Sequence, residues 1–388
     1  MPVSETWLLP DGVADVLPAQ AQVIEQLRRQ LLDFLASRGY ELVYTPFIEY
    51  LESLSLLNKD NSDLDLVTFK LIDQLSGRLI GVRADITPQV ARIDAHVRPL
   101  DGIVRYCYAA TVLHTQPQGL SASRTPMQLG AELFGHAGLA SDLEMADLML
   151  SVLAQAGFNS NLHLDLGHVG IFRSLVKLAK LDAEQEAHLS DLYQRKSLPE
   201  LADYTAGINL GADFNALGQY GHQLSQLKSH LSAEALHDAS VSEALAALEQ
   251  ASGYLASHWP QLSVGVDAAE LRGYHYHTGL MFAVYAPNTA VPLAQGGRYD
   301  GIGVAFGRAR PATGFSCDLY TLSRKQLAQV RQVVLAPAGR DDVALQQAIS
   351  AARAQGLVVI QQLGEQDQVA DVSHRLVQQD GQWQLQAV

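Results

Sequence analysis

The extended segments of this chain follow one another in runs and do not alternate strictly with helices. Apolar residues at helical spacing predict a helix near residues 19–37, which Gly39 ends. Strands are predicted near 103–114 and 127–135, and three more follow near 263–267, 276–286 and 292–295. Strict alternation would indicate a doubly wound parallel sheet. The order found here favours an α+β fold with an antiparallel core sheet.

The last part of the chain has a pattern of its own. It predicts a strand, a helix, a second strand and then a hairpin that turns at Asp380-Gly381. We therefore expect two domains: a core over 1–322 and a small C-terminal α/β domain over 323–388. Helical patterns within the core predict a helical insertion at about 183–262.

The charge balance argues against a polyanionic partner. Lys and Arg number 27 against 41 Asp and Glu, which gives a formal net charge of −14. Proteins bind nucleic acid largely by releasing counterions onto basic surface, so we expect no nucleic-acid partner. The chain has no run of about 18 apolar residues, which predicts no membrane span.

The number of cysteines and the sequence of the first residues indicate the cellular compartment of the protein. Cys107 and Cys317 are the only cysteines, too few for a disulfide framework or a four-thiolate zinc site. The first basic residue is Arg28, so the positively charged start of a secretory signal is missing. Both observations predict a cytoplasmic protein.

The segment Gly81–Pro88 places a carboxylate and a hydroxyl two residues apart. Asp85 and Thr87 share one face if the chain is extended there, and such a pair suits a small ammonium group. In the other interpretation, Asp85 or Thr87 caps a helix that Pro88 opens. Taken alone, the pattern favours the cap.

A second segment, Met127–Gly135, alternates polar and apolar positions. Gln128, Gly130 and Glu132 share one face of the predicted strand, and apolar residues share the other. The polar face either meets solvent or lines a pocket. Taken alone, the pattern slightly favours solvent.

A third segment, Leu271–Gly279, contains His275 and His277 in an H-x-H pattern that could hold a metal ion. Neither a nearby cysteine nor an evident third ligand completes such a site, so the pattern favours a polar strand face without metal.

The fourth segment, Gly296–Gly301, is rich in glycine. We expect a turn followed by a helix near 296–306, or a close approach of two backbones at the glycines. The segment lacks both the G-K-[ST] ending and the G-x-G-x-x-G spacing of phosphate-binding loops.

In this order and spacing, the segments resemble the catalytic core of histidyl-tRNA synthetase, a class II synthetase. The resemblance covers roughly residues 8–322 and includes the opening Leu8-Leu9-Pro10-Asp11-Gly12 and the run Gly297-Arg298-Tyr299-Asp300. It implies a class II aminoacyl-tRNA synthetase-like antiparallel sheet with flanking helices. It also implies a homodimer formed through the first helix and strand.

The resemblance implies a histidine pocket that is largely kept. Asp85 stands where the family has a glutamate for the α-amino group, and Arg272 matches a position for the carboxylate. Glu132 would accept from the imidazole N–H, and His277 replaces the second tyrosine of a Tyr-Tyr pair. The implied histidine-binding residues are Asp85, Thr87, Gln128, Glu132, Arg272, Tyr276, His277 and Tyr299.

Two departures from the family concern the ATP site. Leu113 stands where an F-R-x-E motif has the arginine that holds the α-phosphate, and Thr321 stands at the final arginine of a G-L-E-R ending. Adenylation develops negative charge on phosphate, and losing one preorganised donor costs about 10²–10³ in rate. Neither arginine is present here.

A kept histidine pocket without the ATP arginines resembles the regulatory subunits of ATP phosphoribosyltransferase. The resemblance implies a non-catalytic subunit with no catalytic residues, cofactor or metal. Such a subunit pairs with a short-form catalytic subunit, activates it and mediates feedback inhibition by L-histidine at the first step of histidine biosynthesis. The alternatives are a divergent histidine-activating ligase or histidyl-tRNA synthetase, and a histidine sensor with a different partner.

Overall fold

The computed structural model describes residues 8–55, 62–117, 123–274, 276–289, 291–326, 332–364 and 369–388. The chain divides into two compact units, Met1–Gln326 and Leu327–Val388. No helix within the described ranges is long and apolar enough to cross a membrane.

The first unit combines helices and strands along its whole length. Its helices are α1 Pro18–Ala36, α2 Leu51–Ser55, α3 Ser62–Val67, α4 Thr87–Arg92, α5 Leu139–Gln155, α6 Val169–Ala179, α7 Ala183–Gln194, α8 Leu198–Thr205, α9 Gly211–Tyr220, α10 Leu224–His230, α11 Ala233–His237, α12 Ala239–His258 and α13 Leu319–Ser323. Its strands are β1 Glu41–Leu42, β2 Ile48–Tyr50, β3 Lys70–Ile72, β4 Leu79–Val82, β5 Val104–Thr111, β6 Met127–Phe134, β7 His163–His168, β8 Ser263–Val266, β9 Leu280–Tyr285, β10 Ala294–Arg298 and β11 Ala312–Asp318.

Eight of the described strands of this unit form a large sheet in the order β1-β5-β6-β11-β10-β9-β7-β8, and the other three form a separate sheet in the order β2-β4-β3. Neighbours from β5 to β7 pair antiparallel, as the sequence predicted. The two outermost pairs, β1 with β5 and β7 with β8, are parallel. A parallel pair needs a long crossover, and helices α6 to α12 supply it between β7 and β8.

One face of the large sheet packs against the main apolar core, and the other carries a second buried cluster that contains the candidate site. Leu129, Ala131 and Leu133 alternate along β6 and are at most 1% exposed, within the main apolar core. Leu31 and Leu35 of α1 belong to the same core. Each leucine buried in this way contributes about 1.5–3 kcal/mol relative to exposure. The residues between them on β6 point to the opposite face.

The first half of the glycine-rich segment is a strand, and the expected turn follows only at Asp300 and Gly301. Gly296 and Gly297 lie within β10, between β9 and β11. A Cβ atom at Gly296 would overlap the carbonyl oxygen of Gly314 on β11. The glycines therefore permit the close backbone approach that was the other expectation, and a 3₁₀ segment, Ile302–Phe306, follows them.

The second unit contains β12 Val333–Ala336, α14 Val343–Ala354, β13 Val358–Gln361, β14 Val372–Gln379 and β15 Gln382–Ala387. Its described strands form a sheet in the order β13-β12-β14-β15. Leu345 and Ile349 of α14 pack on Val334, Val359 and Leu376 to form a separate core.

Candidate functional site

A buried carboxylate lies on the face of the large sheet that is opposite the main apolar core. Glu132 on β6 is 1% exposed. Tyr108 on β5 donates its hydroxyl to Oε1 at 2.9 Å, and Tyr299 donates to Oε2. Gly314 faces Glu132 in the neighbouring strand, and a Cβ atom there would overlap Oε2. The expectation that this strand face meets solvent is wrong, because two tyrosines cover the carboxylate.

Burial disfavours the ionised form of the Glu132 carboxylate. It raises the pKa of Glu132 to about 8, against the lowering effect of the hydrogen bonds from Tyr299 and Tyr108. The nearby negative charge of Asp85 adds to the increase in that pKa. Glu132 is therefore mostly protonated at neutral pH, and a cationic or N–H-donating ligand would favour its ionised form.

Asp85 and Thr87 join this cluster from the turn that leads into α4. The Thr87 amide and hydroxyl both donate to Asp85 Oδ1, at 3.1 and 3.2 Å. Gln128 Nε2 donates to the same oxygen at 2.8 Å, and the Gln128 Oε1 accepts from the Ile86 amide at 3.0 Å. The N-cap of α4 is Ile86, whose side chain makes no capping hydrogen bond, so neither Asp85 nor Thr87 is the cap that the sequence favoured. Asp85 accepts from Thr87, the first residue of the helix, and links the first two sequence segments.

Tyr276 and His277 lie beside the cluster, and each has a buried polar atom without a hydrogen-bond partner among the described residues. The Tyr276 ring centroid is 5.2 Å from that of Tyr299 and 5.3 Å from that of His277. Among the described residues, neither the Tyr276 hydroxyl nor His277 Nδ1 has a hydrogen-bond partner, although both atoms are buried. Burial lowers the pKa of His277 to about 4, so its ring is neutral. A bound ligand could satisfy both atoms.

Arg272 is the one predicted binding residue that the described contacts leave outside the cluster. Its side chain is 57% exposed and forms a 2.7 Å salt bridge with Glu270. Its guanidinium also lies 5.8 Å from the ring centroid of Tyr285. The resemblance implied a ligand-binding role for Arg272 and did not reveal this competing carboxylate two residues away.

Tyr108 is a site residue that sequence reasoning missed. Its hydroxyl lies 3.2 Å from Thr87 Oγ1 as well as 2.9 Å from Glu132, so it connects the two segments. Tyr108 pairs across the strands with Gly130, whose missing side chain leaves room for the tyrosine ring. A large side chain opposite a glycine is the signal that could have identified it.

The end of β10 is anchored by a buried ion pair. Arg298 donates to Asp142 on α5, and their side chains are 8% and 5% exposed. The guanidinium also donates to the carbonyls of His136 and Gly138 at 3.1 Å. The next residue is Tyr299, so this anchor holds the tyrosine against Glu132.

The two positions without the family's arginines are filled by uncharged side chains. Thr321 donates its hydroxyl to Asp318 Oδ2 at 2.8 Å, and Asp318 also accepts from the amides of Tyr320 and Met127. Leu113 is half-buried, and its amide donates to the Arg83 carbonyl. A carboxylate, Asp318, therefore lies beside Thr321, the position at which the resemblance implies a phosphate-binding arginine.

The H-x-H pattern has one member outside the described residues, His275. Within the described ranges, no group of three or more His, Cys, Asp or Glu residues could hold a metal ion. The carboxylate, hydroxyl and amide groups of the cluster suit a small ligand with an ammonium group and a ring N–H.

Two family models match the chain. The histidyl-tRNA synthetase model matches residues 12–322, and the model of the ATP phosphoribosyltransferase subunit HisZ C-terminal domain matches residues 331–386. An ATP phosphoribosyltransferase regulatory subunit from Acinetobacter baumannii (strain AYE) is 62% identical over 390 residues, which cover 100% of both chains.

Solved structures share the fold at lower identity. The chain is similar to an ATP phosphoribosyltransferase regulatory subunit/histidyl-tRNA synthetase from Bacillus halodurans, with a TM-score of 0.79, 24% identity and 96% of each chain covered. It is also similar to a chain of the ATP phosphoribosyl transferase (HisG:HisZ) complex from Thermotoga maritima, with a TM-score of 0.57 and 19% identity over 79% of this chain and 98% of that chain. These likenesses confirm the predicted class II synthetase-like fold.

Proposed function

Because the chain belongs to the family of ATP phosphoribosyltransferase regulatory subunits, we propose that it activates a short-form catalytic subunit and carries its inhibition by histidine. Membership confirms the predicted regulatory role in histidine biosynthesis and the relationship to histidyl-tRNA synthetase. The finer proposal rests on a contrast between two parts of the chain. The residues of the Glu132 cluster are hydrogen-bonded to one another, whereas Leu113 and Thr321 occupy the positions implied for the two ATP-binding arginines.

The proposed ligand of the cluster is free L-histidine. Its ammonium group would meet Asp85 and Thr87, and its imidazole N–H would donate to Glu132. The unpartnered Tyr276 hydroxyl and His277 Nδ1 offer further hydrogen bonds. Arg272 would hold the ligand carboxylate after its guanidinium turns from Glu270. A ligand of about eleven heavy atoms then reaches micromolar to millimolar affinity.

Activation is tested by adding this chain to a purified short-form catalytic subunit. A regulatory partner raises a rate by binding the active state more tightly than the inactive one. We expect the rate of phosphoribosyl transfer to rise saturably with added chain and to fall again when histidine is present. A rate that does not change at saturating amounts of the chain would remove the activation proposal.

We also propose that the chain forms a homodimer through its class II core. Large apolar side chains are exposed in and beside the three-stranded sheet β2-β4-β3, which the first unit carries in addition to its large sheet. Ile72 is 69% exposed and Phe47 is 46% exposed. Clustered exposed apolar residues are typical of protein interfaces. A mass equal to one 42.1 kDa chain in sedimentation experiments would contradict this proposal.

We expect the chain to lack histidine activation. Without the two arginines, and with Asp318 beside Thr321, an adenylation transition state has no fixed cation at these positions. Histidine-dependent exchange of pyrophosphate into ATP should stay at background. A histidyl-tRNA synthetase assayed in parallel provides the positive control, and exchange comparable with that control would contradict the regulatory assignment.

Histidine binding should release a proton near neutral pH. Burial raises the pKa of Glu132 to about 8, and a ligand N–H donor lowers it again, so binding requires ionisation. We expect histidine affinity to rise up to about tenfold per pH unit below pH 8 and to level above it. Calorimetry in buffers of different ionisation enthalpy measures the released proton.

The raised pKa of Glu132 has the opposite effect on the free energy of unfolding when no histidine is added. The folded state keeps the proton on Glu132 more tightly than the unfolded state does. The free energy of unfolding should therefore fall as pH rises from about 4.5 to 8. Glu132→Gln should remove both pH dependences. A histidine affinity that is flat between pH 6.5 and 8 in the unsubstituted chain would show that Glu132 does not meet the ligand as a carboxylate.

A further inference from the structure

The outer edge of β15, Gln382–Ala387, is unusual for an edge strand. Its sequence, Gln-Trp-Gln-Leu-Gln-Ala, contains neither a charged residue nor a proline. Proteins usually protect such an edge with lysine, proline, a bulge or a covering element. Leu385 is 42% exposed, and Gln384, Gln386 and Ala387 are also exposed. Among the described strands of the second unit, β15 has a neighbour on one side only, so its outer edge is available for pairing with another strand.

The hairpin geometry shows which backbone groups face outwards. Asp380 and Gly381 both have positive φ, 49° and 78°, so β14 and β15 are joined by a two-residue type I′ turn. Gln379 and Gln382 close that turn, and the Val388 amide donates to the Ser373 carbonyl at 3.1 Å.

Along an antiparallel edge strand, the backbone N–H and C=O groups of successive residues point alternately to the paired strand and to the free edge. The even-numbered residues of β15 therefore bond to β14. The backbone groups of Trp383, Leu385 and Ala387 point to the free edge.

We infer that β15 pairs with the β15 of a second copy of this chain, antiparallel about a two-fold axis at Gln384. In that register Trp383 lies opposite the partner's Leu385, and glutamine lies opposite glutamine. The outward amide and carbonyl of Trp383 and Leu385 meet their counterparts as hydrogen-bonded pairs. Gln384 faces its own copy in a non-hydrogen-bonded pair, where Cα atoms lie about 4.5 Å apart.

Three features support a second copy as the occupant. The strand is self-complementary, because residues equidistant from Gln384 match in polarity. No like charges meet, because the strand is uncharged. The outward hydrogen-bonding groups fall in the register that this symmetry requires. An isologous contact of this kind uses one surface twice.

Cross-linking of the full chain tests the register. A disulfide spans Cα atoms about 4.4–6.8 Å apart, so Gln384→Cys should form a disulfide-linked dimer on mild oxidation. The native Cys107 and Cys317 are buried and do not compete. Gln378→Cys, on the inner strand β14 and also exposed, is the matched control and should stay monomeric on a non-reducing gel. Equal cross-linking of both variants, or of neither, would overturn the pairing.

Charge complementation tests the two-fold symmetry. Gln384→Lys and Gln384→Glu each place like charges opposite each other, so each should halve the mass measured for the unsubstituted chain by sedimentation. An equimolar mixture of the two variants should restore that mass, and Gln378→Lys should leave it unchanged. An unchanged mass for Gln384→Lys, or no recovery in the mixture, would contradict the inference, with circular dichroism confirming that each variant is folded.

Discussion

Arg298→Met should lower the free energy of unfolding by about 3–5 kcal/mol, because it leaves a buried carboxylate without its partner. The Asp142 side chain is 5% exposed and its closest cation is Arg298, at 2.9 Å. The same guanidinium donates to the carbonyls of His136 and Gly138 and to the Ser141 hydroxyl. Chemical denaturation monitored by circular dichroism measures the loss.

Two further variants decide whether the buried charge is the cause. Arg78→Met removes an exposed pair with Glu52, whose side chains are 46% and 80% exposed, and should cost at most about 1 kcal/mol. The double variant Arg298→Met with Asp142→Leu removes both charges and should be more stable than Arg298→Met alone. If Arg298→Met were no more destabilising than Arg78→Met, the buried ion pair between Arg298 and Asp142 would contribute no more to the free energy of unfolding than an exposed pair does.

Gly314→Ala should abolish histidine binding at the concentrations at which the unsubstituted chain binds. The added Cβ atom would overlap Glu132 Oε2 and would also lie 2.8 Å from the Ala131 carbonyl oxygen. The β11 backbone is paired on both sides and cannot retreat, so Glu132 must leave its place between Tyr108 and Tyr299. We expect affinity to fall at least about 100-fold, or about 2.8 kcal/mol. Overpacking should destabilise the fold by about 1–3 kcal/mol.

The matched control for this substitution is Gly253→Ala. A Cβ atom at Gly253, within helix α12, meets nothing within 4 Å, so the change should be neutral or stabilising by about 0.4–1 kcal/mol. In the complex, Gly314→Ala should remove inhibition by histidine while activation persists. Normal histidine binding by Gly314→Ala, measured calorimetrically, would show that the ligand does not use the Glu132 cluster.

The fold was largely predictable because local patterns determined it. The alternation of β6 predicted that Gln128, Gly130 and Glu132 share a face, and they do. The pattern could not show that this face is buried, because Tyr299, which covers Glu132, follows β10 and lies 167 residues farther along the chain. Parallel pairing at both edges of the large sheet likewise depends on crossovers that no single segment reveals.

The sequence named residues of the candidate site but could not show where side chains compete locally. Hydrogen bonds join Asp85, Thr87 and Gln128 from the first two sequence segments, and their binding of histidine stays a prediction. Arg272 illustrates the limit, since Glu270, which lies just before its segment, holds the guanidinium. A family motif indicates which residue type stands at a position but not which neighbour holds its side chain.

The hydrogen bonds of Asp318 have a consequence for how this family can evolve. The carboxylate holds the start of α13 by accepting from the amides of Tyr320 and Thr321, and the Thr321 hydroxyl completes its set. An arginine introduced at position 321 would lie beside Asp318 and form an ion pair with it, which would compete with binding of a phosphate. A phosphate-binding arginine at this helix start would therefore require a second change, at Asp318. The arginine alone would bring little gain for selection to retain.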